Sequence, residues 1–129
     1  MANEITVTVS GGITNGYFVD TIPSQTLKIN QSALGGELGV RSVATSAAAI
    51  PLGSVSTPGV AYFKNLDPTN YVDVGVYVSG TFYPLIRLAP AGSGNSAGEV
   101  AIFRFTPTST PYWQANTAAC LVQMKIYQN

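Results

Sequence analysis

The segment YVDVGVYV, residues 71–78, places a valine at every second position. Because successive side chains of a β-strand point to opposite faces of a sheet, this alternation predicts a strand whose four valines share one face. Ser79-Gly80 follows directly and predicts a two-residue hairpin turn. Residues 81–88 continue as the second strand, and the proline within them predicts an edge strand or a bulge. The side chains predicted to share one face of this second strand are Phe82, Pro84, Ile86 and Leu88.

The same period of two recurs on both sides of this hairpin. Gly11-Gly12 is predicted to end the first strand of the chain, and Pro23 to end the second. The one helix-favouring stretch, residues 46–50, stops at Pro51, so at most one short turn of helix is expected there. The other predicted strands are residues 4–9, 17–22, 26–30, 60–66, 99–105 and 119–127.

Turn signals at a spacing of roughly ten residues predict eight or nine strands in all. This pattern is typical of an antiparallel β-sandwich, a jelly-roll or a small barrel. We therefore expect an all-β fold, an antiparallel β-sandwich or jelly-roll with little or no helix. A chain of 129 residues suits one domain, so residues 1–129 are expected to form a single β-sandwich domain.

The residue types that the chain lacks exclude several classes of chemistry. It has no histidine and a single cysteine, Cys120. The absence of histidine excludes histidine-based acid–base catalysis and the Ser-His-Asp triad. A zinc site needs about three or four ligands, which one thiol cannot supply. Cys120 lies in the apolar run AACLV and is expected to be a small buried hydrophobe. We expect no catalytic residue, no cofactor and no metal.

The charges are few, balanced and scattered. Six cations and six anions make up 9% of the chain, and the net charge is zero. No basic cluster exists that could neutralise phosphates, so we expect no nucleic-acid partner. No apolar stretch suits a membrane-spanning helix, and the first residues do not resemble a signal peptide. We therefore expect no membrane partner, and a location in the cytoplasm of the producing cell or in a particle assembled there.

Few charges imply a surface of small polar and aromatic residues, which suits a protein packed against others. The alternating strand around residues 5–9 is a candidate for pairing with a neighbouring subunit. The Tyr112-Trp113 pair follows a proline and is predicted to be an exposed aromatic edge. The glycine-rich loop 92–98 leads into a strand rather than a helix, so a mobile hairpin tip is favoured over a phosphate loop. A contact loop that orders on a neighbour is the alternative. The candidate interface residues are Ile5, Val7, Val9, Gly92, Gly94, Asn95, Tyr112 and Trp113.

Three segments of the second half resemble small virion proteins of tailed bacteriophages. Residues 63–72, FKNLDPTNYV, resemble an NLD-x-TNYV hairpin of those proteins. Residues 85–90 and 98–101 resemble their RL-x-PGE-x-A turn, which is opened here by residues 91–97. Residues 115–119, ANTAA, resemble an ANTA approach to the last strand. The resemblance covers the chain from Val60 onward and implies a non-enzymatic β-sandwich in a phage particle.

From this resemblance we expect a virion protein that decorates or cements the capsid. Its expected partners are the major capsid protein and further copies of itself, as a homotrimer, and its expected role is to reinforce the shell by non-covalent contacts. Two alternatives remain open. One is an adaptor or knob protein of the phage tail or fibre, and the other is a carbohydrate-binding module that uses Tyr112 and Trp113.

Overall fold

The computed structural model describes residues 4–92, 98–106, 108 and 110–129. It contains ten β-strands in three antiparallel sheets, and none of the described residues is helical. The predicted all-β class is therefore confirmed, with ten strands in place of eight or nine. The strands are β1 (Ile5–Asn15), β2 (Phe18–Ile29), β3 (Gly36–Val43), β4 (Ala48–Ala49), β5 (Pro58–Asn65), β6 (Val72–Val78), β7 (Thr81–Leu88), β8 (Val100–Arg104), β9 (Pro111–Ala115) and β10 (Cys120–Gln128).

The chain divides into two compact units, Met1–Ser32 and Ala33–Asn129. The described part of the first unit contains the antiparallel hairpin β1–β2. The second unit contains a front sheet in the order β3-β10-β5-β8 and a back sheet in the order β4-β9-β6-β7. Successive strands switch sheets except at the β6–β7 hairpin, and the first strand of this unit pairs with the last. This strand order is that of a jelly roll.

The core of the second unit lies between the front and back sheets. Strand β10 supplies one row of it, because Cys120, Val122, Met124 and Ile126 are almost fully buried while the residues between them are not. The sequence predicted this face of β10, and the prediction is confirmed. Phe63 packs edge-on against Trp113 of the opposite sheet, with ring centroids 6.1 Å apart. Each such large side chain contributes roughly 1.5–3 kcal/mol to stability through burial.

Strands β1 and β2 are longer than predicted. Gly11-Gly12 does not end β1, because a register shift between Val9 and Gly11 absorbs the irregularity and pairing continues to Asn15. Pro23 lies within β2 at the same shift, opposite no register partner. Its missing N–H therefore removes no ladder hydrogen bond, which is why a β-bulge tolerates proline.

The helix-favouring stretch forms a strand instead. Ala48 and Ala49 are β4, and they pair with Trp113 and Tyr112 of β9. The N–H of Ile50 continues the contact by donating to the carbonyl of Pro111 at 2.9 Å. A helix nucleus is costly, so a run of five residues does not form one when a sheet edge offers hydrogen bonds to the backbone.

The β6–β7 hairpin confirms its predicted turn and corrects one predicted face. Ser79 and Gly80 have φ angles of 50° and 84°, as a primed hairpin turn requires. Strand β7 is an edge strand with a register shift beside Pro84, as the proline indicated. This shift places Ile86 and Leu88 opposite buried valines. It moves Phe82 and Pro84 to the outer face, opposite Tyr77 and Gly75, so the four residues do not share a face as predicted.

Candidate functional site

The Tyr112-Trp113 pair is divided between core and surface. Trp113 is only 3% exposed and packs on Phe63, so the prediction of an exposed tryptophan is wrong. Strand β9 alternates, and the burial of Pro111, Trp113 and Ala115 follows from their shared inward face. Tyr112 points outward and stacks on Tyr77, with ring centroids 5.0 Å apart and planes at 16°. The alternation of Pro111, Trp113 and Ala115 was the sequence signal for this arrangement.

An ion pair stands beside this tyrosine pair on the outer face of the back sheet. Arg87 Nε and Nη2 donate to the two carboxylate oxygens of Asp73 at 2.8 and 2.9 Å. The guanidinium carbon also lies 3.6 Å from the centroid of the Tyr71 ring. The hydrogen bond to Asp73 is the main cause of the raised pKa of Arg87. Bidentate pairing and stacking together fix the orientation of both side chains.

A polar cleft of about 310 Å³ opens next to this ion pair. Gln114 spans part of it, and its Nε2 donates to the carbonyl of Thr45 at 2.7 Å. Asn116 Oδ1 is buried there and accepts no hydrogen bond from the described residues. The cleft is therefore suited to hydroxyl-bearing molecules. Its lining residues are Tyr71, Asp73, Gln114, Ala115, Asn116 and Thr117.

Residues 63–72, 85–90 with 98–101, and 115–119 meet at one junction, and Asn65 lies at its centre. The Asn65 side chain is fully buried. Its Nδ2 donates to the carbonyls of Asn70 and Leu88 at 2.8 and 3.0 Å, and its Oδ1 accepts the N–H of Asp67 at 2.9 Å. Asn65 therefore holds the end of β5 to the following turn and to the end of β7.

Asp67 organises that turn from its exposed side. Its Oδ1 accepts the N–H groups of Asn70 at 2.6 Å and Thr69 at 2.8 Å. These two hydrogen bonds hold the pKa of Asp67 below its ordinary value, and the bond from the Asn70 N–H makes the larger contribution. The third segment closes the junction, since Thr117 Oγ1 lies 2.5 Å from Asn70 Oδ1.

Gly98 and Glu99 complete the same junction. The Glu99 carboxylate accepts the N–H of Ala89 at 2.9 Å, and its carbonyl accepts the N–H of Asn65 at 3.1 Å. A Cβ at Gly98 would lie 2.3 Å from the Asn65 carbonyl oxygen, so only glycine fits this approach. The three segments thus have a structural role, which is to fix the connections of the jelly roll.

The outer face of the front sheet carries a cluster of exposed aliphatic side chains. Five aliphatic side chains on it are between 44% and 56% exposed. The charged side chains that the four strands contribute to this face are Lys64, Arg104 and Lys125, with no acid among them. We call this surface the front face, and its exposed aliphatic residues are Leu38, Val40, Val100, Ile102 and Leu121.

The β1–β2 hairpin is amphipathic along its first half. Register places Ile5 opposite Ile29 and Val7 opposite Leu27 on one face. The other face carries polar pairs, including Thr8 and Thr26, whose hydroxyls lie 3.1 Å apart. Val9 is on the apolar face and is 41% exposed. The candidate residues Ile5, Val7 and Val9 therefore lie on one strand that already pairs with β2 of the same chain.

The remaining predicted contact residues belong to the glycine-rich loop. Gly92 has a φ of 66°, and its N–H donates to the carbonyl of Pro68 at 3.2 Å. Gly94 and Asn95 lie outside the described residues. The start of the loop is therefore held against the Asp67 turn, beside the junction described above.

An apolar cleft of about 220 Å³ lies between the sheets on the side where β7 and β8 form their edges. Val76 and Ile86 line it from the back sheet, and Phe103 and Phe105 line it from the front sheet. The cleft could not be predicted from the sequence, because the pairing of sheet edges depends on strand order, which alternation does not reveal.

Cys120 is 1% exposed, and burial raises the pKa of its thiol, which fits the predicted buried hydrophobe. The described residues contain no group of three or more metal-ligating side chains. Within the same residues, no helix is long and apolar enough to cross a membrane. No family model matches the chain, and neither a curated protein nor a solved structure matches it.

Proposed function

We propose that this protein is a structural component of a bacteriophage particle that decorates the capsid and reinforces it by non-covalent contacts. The front face is the observation that supports this most strongly. Exposed aliphatic side chains cluster there with cations and without acids. Large apolar patches on a protein surface are typical of sites that bind other proteins. The partner surface that complements the front face is apolar and acidic.

The motif segments support the same proposal in a different way. They resemble phage virion proteins, and they form a hydrogen-bonded junction that holds the connections of the jelly roll together. Jelly rolls also occur in viral capsid proteins and in lectins, which is an argument from fold alone. The fold is therefore compatible with a particle role, and we propose the front face as the contact surface.

A co-sedimentation experiment tests the proposal. Shells assembled from the major capsid protein of the same phage are mixed with wild-type protein or with the Leu121→Asp variant. Leu121 is exposed on the front face near the start of β10, and burying a leucine contributes roughly 1.5–3 kcal/mol. We therefore expect the Leu121→Asp variant to bind about tenfold or more weakly. The matched control is Leu85→Asp, since Leu85 is an exposed leucine on the back sheet.

The outcomes of this experiment separate the alternatives. Loss of binding in Leu121→Asp with normal binding in Leu85→Asp supports the front face as the contact. Absence of wild-type protein from the shell fraction would contradict capsid decoration. Quantitative mass spectrometry of purified particles then distinguishes the tail alternative, because a decoration protein is present in hundreds of copies and a tail protein in a dozen or so.

Carbohydrate binding is a second candidate, favoured by the polar cleft and the adjacent tyrosine pair. Tyr77 is 43% exposed and offers a ring on which a sugar can stack, whereas Trp113 is buried and cannot take part. A glycan array probed with wild-type protein and the Tyr77→Ala variant tests this candidate. Binding that Tyr77→Ala abolishes, and that the exposed control Tyr83→Ala retains, would support it.

A further inference from the structure

Strand β3 lies at the edge of the front sheet, and one side of its backbone pairs with no other strand among the described residues. The N–H of Gln128 donates to the carbonyl of Gly35, and the register with β10 continues from there without a shift. Odd-numbered residues of β3 therefore turn their backbone groups toward β10. The even-numbered residues turn theirs outward, and they are Gly36, Leu38, Val40 and Ser42.

The outward groups of β3 have few partners in the described part of the chain. The Val40 carbonyl accepts a hydrogen bond from Arg41 Nη1 at 3.2 Å, and it can accept a second because a carbonyl oxygen has two lone pairs. This contact also shows where the Arg41 guanidinium lies, namely at the free edge itself. A long, apolar edge strand with open backbone groups is a template for another strand.

The sequence of β3 is complementary to itself in the antiparallel direction. A two-fold axis at Gly39 places Leu38 opposite Val40 of a second copy, so that apolar side chains meet on the front face. The same axis places Glu37 opposite Arg41 of the second copy, and Arg41 opposite the second copy's Glu37. Opposite charges directly across an antiparallel pair stabilise the sheet. In this register, the new backbone hydrogen bonds are formed by the residues whose N–H and C=O groups point away from β10.

The conformation around Gly39 fits this register. Glu37 and Arg41 form an ion pair within the chain, yet their side chains are still 19% and 38% exposed. Arg41 lies across Gly39, since a Cβ there would come 2.7 Å from Arg41 Nη1. Gly39 has a φ of 145°, which disfavours other residues. At a two-fold axis these side chains would form one alternating group of four charges.

The other sheet edges of this unit are less suited to pairing. Strand β4 has two residues, and β7 carries Pro84 and a register shift. Strand β8 has five residues, and pairing it with itself about Ile102 would place Val100 opposite Arg104. Proline, bulges and short strands are the features that protect sheet edges from pairing. Strand β3 has eight residues and none of these features.

We propose that two copies of this protein pair through β3, antiparallel about Gly39, so that their front sheets form one continuous sheet of eight strands. A second copy of the chain is the proposed partner, because the charged and apolar side chains of β3 complement those of the same strand in a second copy. This dimer does not depend on the proposed capsid role. It would join two front faces into a single larger surface.

Charge reversal in solution tests this proposal. The wild-type chain is expected to sediment at twice its 13.5 kDa at concentrations of about 100 µM. Arg41→Glu and Glu37→Arg each place like charges opposite one another, so each variant alone is expected to dimerise about tenfold or more weakly. In an equimolar mixture, the introduced acid of one variant faces the introduced cation of the other. The unchanged Glu37 of the first variant likewise faces the unchanged Arg41 of the second, so the mixture is expected to recover the dimer.

Recovery of the dimer on mixing shows that the charges act between chains and not through the ion pair within a chain. Neither variant regains its own Glu37–Arg41 ion pair in the mixture. Val40→Pro is a second probe, since it removes an outward N–H that no described residue accepts. It is expected to give a folded monomer with a melting temperature close to that of the wild type. Ile102→Pro, which removes an N–H pointing away from β5 at the β8 edge, is the matched control and is expected to remain dimeric.

Three results would overturn the proposal. These are a wild-type chain that stays monomeric at about 100 µM, a wild-type chain that forms a trimer, and charge variants whose mixture does not dimerise. None of these results bears on whether the front face binds shells. Failure of the dimer and failure of the capsid role are therefore distinguishable.

Discussion

Asn65 shows how one side chain can connect three parts of a sheet protein. Its amide donates to two carbonyls and accepts one N–H, all inside the protein. An aspartate has nearly the same shape but no amide hydrogens, so its oxygen would face the carbonyls of Asn70 and Leu88. We expect Asn65→Asp to lower the free energy of unfolding by about 3 kcal/mol. Urea denaturation measures this, with the exposed Asn15→Asp as control, and a loss below about 0.5 kcal/mol would contradict the role of Asn65.

Asp67 makes the stability of the neighbouring turn depend on pH. The pKa of Asp67 in the folded state lies below the ordinary value of 3.8. The ionised carboxylate therefore stabilises the folded state at pH values above 3.8. This contribution is lost as the pH falls through the folded pKa. Asp67→Asn is expected to cost about 1 kcal/mol at neutral pH, and the difference from wild type should shrink below pH 3.8. Unfolding measured at neutral pH and at pH 3 decides this, and a constant difference would be inconsistent with it.

Strand β7 shows why alternation of apolar and polar residues predicts the presence of a strand better than it predicts which side chains share a face. The sequence correctly placed an irregularity at Pro84, but one extra residue in β7 reversed the faces of Phe82 and Pro84 relative to Ile86. A register shift inverts every side chain beyond it. Strand β10 has no shift within Cys120–Ile126, so its inward and outward faces could be predicted completely.

Gly75 is the residue of β6 that accommodates this bulge. A Cβ there would lie 2.0 Å from the Tyr83 carbonyl oxygen, so Gly75→Ala must displace the β7 backbone. We expect this variant to lose about 2 kcal/mol or more of stability. Gly12→Ala is a suitable control, since its Cβ would make only an ordinary contact of 3.6 Å. Equal melting temperatures for the two variants would show that the bulge is not constrained by Gly75.

The candidate surfaces could be predicted only in part, for a related physical reason. Alternation indicated that Leu121 and Lys125 share one face of the last strand, and the structure places both on the front face. The neighbours that make this face apolar, Leu38 and Ile102, come from strands far away in sequence. Strand order is set by packing of the whole chain, which local patterns do not contain. Trp113 is a different case, because the alternation of residues 111–115 favours its burial and conflicts with the exposure expected from its position after a proline.

At the scale of the whole molecule, a jelly roll with an open apolar face and an open β3 edge is suited to repeated contacts. Many weak contacts of this kind can hold a protein firmly on a symmetric particle. The β1–β2 hairpin adds a further amphipathic surface to each copy. A two-stranded hairpin is only marginally stable in water by itself, so a binding partner for its apolar face would stabilise it.

The most direct test of the structural role is a cryo-electron-microscopy map of the assembled phage particle at side-chain resolution. We expect copies of the jelly roll on the outer surface of the capsid, with the front face and Leu121 buried against the shell. A map in which this protein is absent from the capsid, or in which the front face points to solvent, would contradict the account.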